Sequence, residues 1–483
     1  MKYVKILCMK TKYVTTAIPY TNDRPHIGHA MDYLLADVWS RYQKQSGFDV
    51  RFSAGLDEHG TKIANKAKES GISPQEFVDK LTPVFKDFLA QMNISCTDFI
   101  RTTDVDHVHR VQEIWRRLDE AGVIYKDKYI GWYCVGCEAF VTETEAKSMG
   151  YKCAGHQCEL EKIEDDNYFL KVSKYTDEIR EFAKKCIVPS WRGKEVLELI
   201  KHGAQDVSIS RSHDKLEWGI PVPGDDSQVM YVWVDALSNY ITVLGYPEKD
   251  ISDCWPADLE IVGKDILRFH AIIWPAMLLA LGLKLPTKLL AHGFINLSGA
   301  KISKTVGNVL YPTDIIAKYG VDAFRYFFLR HIPTFEDGEY TEEKMLATYN
   351  GELANALGNL VSRTASMITR FSSGKIKATK NFTWDLGKFD DNMSSMRFDL
   401  ALEEIWKLIQ HLNQYIDDKK PWELNKNQHQ QKEVFEVMNY LATGLRQVAI
   451  LLVPFLPETA NKISSVFAGD TVGELKDVLF ARK

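Results

Sequence analysis

The sequence predicts an α/β domain built on a parallel sheet, followed by an all-α helical bundle, and three observations carry that prediction. First, β-rich runs, "KYVTTAIPY" at 12–20, "DVRFSAGL" at 49–56 and "LEIVGK" at 259–264, alternate with longer segments of helical period such as 30–46 and 265–282. Strands alternating with helices make a parallel sheet, whose ligands sit beyond the carboxyl ends of the strands. Second, from about residue 351 the chain reads "ELANALGNLVSRTASMITRF", "MRFDLALEEIWKLIQHLNQYIDDKKPW" and "QKEVFEVMNYLATGLRQVAILLVPFL", amphipathic runs separated by polar stretches. That is the pattern of packed helices. Third, 483 residues exceed one compact core, so about two to four domains are expected.

Composition narrows the function classes. With 45% hydrophobic and 26% charged residues the chain is ordinary globular material, and 60 basic against 65 acidic side chains leave a net charge of −5. No global footprint for nucleic acid follows, although a local basic face is compatible with it. The most apolar stretch, "AIIWPAMLLALGL" at 271–283, is too short to span a bilayer and is closed by Lys284, so it reads as a buried helix and no membrane partner is expected. The basic start "MKYVKILCMKTKYV" lacks the apolar core and cleavage site of a signal peptide and the Arg and Ser of a transit peptide. A cytoplasmic location is the expectation.

Taken in chain order, the first chemical feature is "PYTNDRPHIGHAMDYLLADVW" at 19–39, which crosses from an apolar run into a helix with His26 and His29 around Gly28. A glycine lets a helix start approach a ligand, the unpaired N–H groups there favour phosphate, and imidazoles donate to phosphate oxygens. The bland alternative is that the two histidines merely cap the helix. The second feature is "WYCVGCEAFVTETEAKSMGYKCAGHQCELE" at 132–161. Of eight cysteines in the chain, Cys134, Cys137, Cys153 and Cys158 crowd here, which favours metal over disulfides. Cys134 and Cys137 have the spacing of a zinc knuckle, and Cys153 opens its second half. His156 keeps the two-residue spacing and is the favoured fourth ligand, with Cys158 the alternative. Either set closes the site, so the Zn2+ would be structural. The third feature is "GAKISKT" at 299–305, after the strand-like "KLLAHGFINL". In this small polar loop Lys301 and Lys304 could neutralise charge developing on a triphosphate.

"HIGH" at 26–29 and "KISKT" at 301–305 together resemble the two signature motifs of class I aminoacyl-tRNA synthetases, in the right order. The segments "AIPYTNDRPHIGH", "AGLDEHGTKI", "YVWVDALSNY", "IVGKDILRFHAIIWPAM", "AHGF" and "KPWEL" resemble methionyl-tRNA synthetases, from near the N-terminus to beyond residue 420. Where the commonest family loop carries Met and a final Ser, this chain has Ile302 and Thr305, which keep apolar and hydroxyl character.

The resemblance implies a split Rossmann-type catalytic domain that joins L-methionine to ATP, with Mg2+, as methionyl-adenylate and passes methionine to tRNA(Met). It divides the chain into a first catalytic half at 1–124, a connective insertion with the knuckle at 125–230, a second catalytic half at 231–298, the "KISKT" and stem-contact region at 299–350, and an anticodon-binding helical domain at 351–483. His26, His29, Lys301 and Lys304 would stabilise the transition state, and Gly28 would leave room for the adenine. The methionine pocket would comprise Ile18, Tyr20, Asp57, Trp233, Ala236, Leu237, Tyr240, Ile266, His270 and Trp274. Aromatic walls suit a flexible thioether, with Tyr20 or His270 reaching the sulfur and Asp57 the α-ammonium. Without the resemblance, His270 reads as an ordinary buried core histidine.

Asn359, Arg363 and Trp422 match family positions that contact anticodon bases, which stack on aromatic rings when splayed out. The insertion is too small for the editing domain of the larger class I enzymes, so a missing carbon, worth about 1–3 kcal/mol, must be discriminated in the synthetic pocket. The expectation is a monomer. A small-molecule nucleotidylyltransferase would not need the helical part, and a catalytically silent zinc RNA-binding protein would not need the two signatures.

Overall fold

The computed structural model describes residues 11–134, 139–141, 143–153, 158–297, 300–301, 310–377, 382–475 and 477–483. Six strands form the central sheet: β1 (Thr11–Thr16), β2 (Asp49–Leu56), β3 (Asp98–Arg101), β4 (Ile187–Val188), β5 (Leu259–Gly263) and β6 (Leu289–His292), in the spatial order β3-β2-β1-β5-β6-β4. The registers of β1 with β2 and β5, β2 with β3, and β6 with β4 are parallel. β1, β2 and β5 are runs of β-branched and small residues buried through most of their length, as strands covered on both faces require. From β1 the chain moves to β2 on one side, whereas β5 lies on the other. The sheet therefore has its topological switch point between β1 and β5.

The chain divides into two compact units of interleaved segments, one of residues 1–25, 47–89 and 95–291, the other of 26–46, 90–94 and 292–483. The first holds the sheet and a continuous apolar core that includes Tyr13, Trp115, Leu237, Tyr240, Trp274 and Met277. Between β3 and β5 it also carries a four-stranded sheet, whose long hairpin pairs Ile124–Cys134 with Glu161–Leu170 antiparallel, and a separate three-stranded sheet.

The second unit contains helix α1 (Ile27–Gln45) and, after the strand Gly338–Tyr340, only helices and connections among the described residues, the isolated bridge Lys375 to Thr471 aside. Arg325, on the helix Val321–Arg330, is fully buried. Its guanidinium donates to Asp37 Oδ2 of α1 at 2.7 Å, to Met92 O at 3.1 Å, to Pro454 O at 3.1 Å and to Phe455 O at 2.7 Å. A buried cation is tolerated only when its donors are satisfied, and the planar fork of arginine matches several acceptors at once.

The predicted buried helix at 271–283 is a wide π-type turn, Phe269–Ile273, running into a short α-helix, Trp274–Ala280. Pro275 lacks the N–H that a regular helix would direct back to residue 271, so the backbone loosens just before it.

Candidate active site

The carboxyl ends of β2, β1 and β5 stand side by side at the switch point, and each continues into sequence-predicted residues. β1 leads to Ile18 and Tyr20, β2 to Asp57, and β5 to Ile266 and His270. Tyr20 and Asp57 form an isolated parallel bridge, with Asp57 N donating to Pro19 O at 3.0 Å and Thr21 N to Asp57 O at 2.9 Å. Ile18 lies so close to Gly55 that a Cβ there would stand 3.1 Å from Ile18 Cγ2 and 2.5 Å from Ile100 O. Only glycine allows that approach.

Helix α2 (Val232–Thr242) supplies Trp233, Ala236, Leu237 and Tyr240. Trp233 stacks on Phe269 with centroids 3.9 Å apart and meets His270 edge-on at 5.8 Å. Its Nε1 is buried with no hydrogen-bond partner among the described residues. Tyr240 Oη lies 2.7 Å from His270 Nε2, and His270 Nδ1 lies 3.0 Å from Ile266 O. Burial pushes the His270 pKa down to about 4, against the carbonyl contact that raises it. The ring is therefore neutral at physiological pH, with Nδ1–H donating to Ile266 and Nε2 accepting from Tyr240. Both nitrogens are engaged, which leaves Tyr20, of the two sulfur contacts anticipated from the sequence, as the one not committed to this pair.

Trp274 has no exposed surface. It stands 5.7 Å from Tyr240, ring to ring, and its Nε1 donates to Glu260 Oε1 at 3.1 Å. It supports the wall from behind. Glu260 is fully buried on β5, where burial lifts its pKa to about 8 against the opposing effect of the Trp274 bond. Behind Tyr240, Tyr13 Oη donates to Tyr240 O at 2.9 Å and lies 2.9 Å from Ser53 Oγ. Sequence reading missed Tyr13, Glu260 and Phe269. The signal for Glu260 was available, an acid in the otherwise apolar run "LEIVG" of a central strand.

In the second unit, α1 opens on the two histidines. His26 is the N-cap and its Nδ1 accepts from Gly28 N at 3.0 Å, while His29 Nδ1 accepts from His26 N at 3.2 Å. The rings stack at 4.0 Å. The two histidines do cap the helix, and the capping has a chemical result. With Nδ1 accepting, each neutral ring carries its proton on Nε2, the atom remote from the backbone, so both are set as donors. A Cβ on Gly28 would fall 2.8 Å from His26 Cε1, so glycine is what admits this ring.

Lys301 ends the short strand Ala300–Lys301 opposite Asn296. Lys304 lies outside the described residues, as do Cys137 and His156. Cys134 Sγ is 3.6 Å from Cys158 Sγ, and Cys153, whose N–H donates to Cys158 O at 2.9 Å, belongs to the same small buried cluster. Among the described residues no group of three or more metal-ligating side chains forms. The three anticodon candidates are exposed. Asn359 and Arg363 lie four residues apart on the helix Asn359–Ser372, hence on one face. Arg363 Nη2 is 3.3 Å from Asp417 Oδ1, near the end of the helix Phe398–Lys419 that leads into Trp422.

The family described as tRNA synthetases class I (M) matches residues 12–365. The chain is 43% identical over 471 residues to the methionine–tRNA ligase of Caldanaerobacter subterraneus subsp. tengcongensis, covering 94% of this chain and 73% of that one. It is 42% identical to the methionine–tRNA ligase of Enterococcus faecalis, with 94% and 72% covered. The crystal structure of Mycobacterium tuberculosis methionyl-tRNA synthetase bound by methionyl-adenylate is similar with a TM-score of 0.91 and 36% identity, over 98% of this chain and 100% of that one. No described helix is long and apolar enough to cross a membrane. By sequence and by fold, the chain belongs to the methionyl-tRNA synthetase family of class I tRNA synthetases.

Proposed function

We infer that the chain is a methionine–tRNA ligase: it condenses L-methionine with ATP to methionyl-adenylate and pyrophosphate, then passes the methionyl group to the 3′-terminal adenosine of tRNA(Met). The observation that carries this reading is the cluster of Trp233 and Tyr240 on α2 with neutral His270, which follows β5, while Asp57 stands at the carboxyl end of β2. An aromatic box with one carboxylate suits an apolar thioether carrying an ammonium group.

The methionine carboxylate is already a nucleophile. It attacks the α-phosphorus of ATP, the new C–O–P link forms, and the bond to the bridging oxygen breaks with pyrophosphate leaving. Catalysis is orientation and charge stabilisation rather than proton transfer. His26 and His29 donate from Nε2 to phosphate oxygens, Lys301 and Lys304 balance the charge on the leaving group, and Mg2+ enters with ATP. Ile18, Tyr20, Asp57, Trp233, Ala236, Leu237, Tyr240, Ile266 and His270 bound the methionine site, with Trp274 backing it.

A structural zinc fits the thiols. Two thiolates on one tetrahedral zinc, each about 2.3 Å from the metal, stand about 3.8 Å apart, close to the 3.6 Å between Cys134 and Cys158. This spacing favours Cys158 as a ligand with Cys134, Cys137 and Cys153, with His156 as the alternative. The metal would hold the hairpin end together. Asn359, Arg363 and Trp422 present hydrogen-bonding and stacking groups to the anticodon. The enzyme works as a cytoplasmic monomer.

The test is amino-acid-dependent exchange of labelled pyrophosphate into ATP, with each amino acid supplied separately. Exchange with methionine alone, abolished by His29→Ala, is expected. Exchange with a different amino acid overturns the pocket assignment.

A further inference from the structure

Asp235, a fully buried residue in the first turn of α2, lies between two imidazoles from elsewhere in the first unit. Its Oδ2 is 2.7 Å from His59 Nδ1 and its Oδ1 is 2.7 Å from His107 Nε2. The other nitrogen of His107 is 2.8 Å from Thr242 Oγ1, in the last turn of the same helix. Residues 235 and 242 are two helical turns apart on one face, so His107 grips α2 near both ends. His59 in turn belongs to the loop after β2, two residues beyond Asp57.

That loop is fixed on either side. The His59 ring lies 5.2 Å from the Trp218 ring, Trp218 Nε1 donates to Glu58 O at 2.6 Å, and Gly60 N donates to Trp218 O at 3.0 Å. The buried Glu58 carboxylate takes Arg101 Nε at 2.9 Å and the hydroxyls of Thr82, at 3.1 Å, and Thr103. Asp57 is thus followed by two residues held in place, and Trp233 and Ala236 flank the aspartate that one of them holds.

Stability alone does not call for this arrangement. Buried ionisable groups give little net stability over apolar packing of the same volume, yet here three of them converge to join α2 to the loop that follows Asp57. Burial acts to raise the Asp235 pKa, and the two imidazoles outweigh it, holding the carboxyl below the usual carboxylate range. Resting on the methionine-activation reading above, we propose that His59, Asp235 and His107 are positioning residues that lock α2 to the Asp57 loop, setting the separation between the aromatic wall and the carboxylate that receives the α-ammonium. None of the three is assigned contact with substrate.

The test is steady-state pyrophosphate exchange with Asp235→Ala, Asp235→Asn, His59→Gln and His59→Leu, with thermal unfolding of each. The lock predicts that Asp235→Ala raises the KM for methionine about tenfold or more while the KM for ATP moves less than about twofold. Asp235→Asn recovers most of that loss, because an amide accepts from one imidazole and donates to the other. His59→Gln is similarly milder than His59→Leu. If Asp235→Ala has no cooperative unfolding transition, the His59 pair carries the comparison. A methionine KM unchanged in the disruptive variants, methionine and ATP KM values rising in parallel, or conservative variants as damaging as disruptive ones would each overturn the lock. Wild-type protein that exchanges with another amino acid or none overturns the underlying reading as well, whereas wild-type exchange with methionine and no difference among variants removes the lock alone.

Discussion

Tyr240 and His270 share one short bond, 2.7 Å from Oη to Nε2, and it decides what the proposed methionine pocket can offer. Because His270 is neutral and its other nitrogen serves Ile266, the tyrosine proton points at the histidine. The imidazole acts as a fixed acceptor rather than a cation.

Tyr240→Phe removes the only donor to His270 Nε2 among the described contacts. An unsatisfied buried acceptor costs about 1–3 kcal/mol, part of which falls on the pocket. The KM for methionine in pyrophosphate exchange should rise about tenfold, with the KM for ATP nearly unchanged. Equal rises in both would show that the bond serves the domain generally.

Glu260 gives stability an unusual pH dependence. An unfolded glutamate titrates near 4.3, while the folded one titrates at about 8 because burial disfavours its charged form. Between those values the folded chain holds more protons than the unfolded chain, so this residue makes stability fall as pH rises, by at most about 1.4 kcal/mol per pH unit. Its contribution levels off above about pH 8. Glu260→Gln keeps an acceptor for Trp274 and abolishes the titration, so its melting temperature should gain on the wild type progressively from pH 5 to pH 8. Parallel melting profiles across that range would refute this.

Gly28→Ala places a methyl group 2.8 Å from His26 Cε1. The ring must swing away, losing its bond to Gly28 N and the stacking on His29. Exchange should slow by up to about 100- to 1,000-fold, the effect of losing one oriented stabilising donor, while the melting temperature shifts by only a few degrees. An unimpaired kcat would mean that the imidazole pair is not needed in this arrangement.

Arg325→Met strips the buried Asp37 of a cationic partner and takes a donor from the carbonyls of Met92, Asn93, Pro454 and Phe455, of which Asn93 keeps Arg41. Breaking a buried pair from one side costs about 3–5 kcal/mol. Urea denaturation should report a loss of that order, with Asp37→Asn in the same chain restoring part of it. Additive losses in the double variant would argue against coupling through this pair.

Zinc per chain, measured after exhaustive dialysis, separates the two ligand sets. Cys158→Ser should abolish stoichiometric zinc as Cys134→Ser does, while His156→Ala should retain it. The reverse result would restore His156 as the ligand.

The strands and the helix starts were legible because they are local. β1, β2 and β5 announce themselves as β-branched apolar runs, and the residues expected to bind ligand follow their C-terminal ends. Helix α1 begins at Ile27, ahead of the expected residue 30, because the reciprocal bonds between His26 and His29 draw the first turn back to the motif itself. The long-range polar pairs were not legible. Tyr13 meets Tyr240 across 227 residues, and Asp235 meets His59 and His107 across 176 and 128. One sequence says that an aspartate is present at 235, and only the fold says which imidazoles reach it. The roles of Trp274 and His270 were blurred for the same reason, since a wall residue and its support share composition.

The buried Arg325 has a bearing on how this chain comes into being. Its acceptors reach back to Asp37 and Met92 and forward to Pro454 and Phe455. During synthesis the early partners leave the ribosome long before the late ones, so the helix that opens on the two signature histidines lacks its final anchorage until Pro454 and Phe455 have been made. Contacts so distant in sequence form slowly, and domains completed from scattered segments are the ones exposed longest to misassembly. The nascent chain can therefore finish its sheet early, while the helix that opens on His26 and His29 waits for Pro454 and Phe455 to arrive.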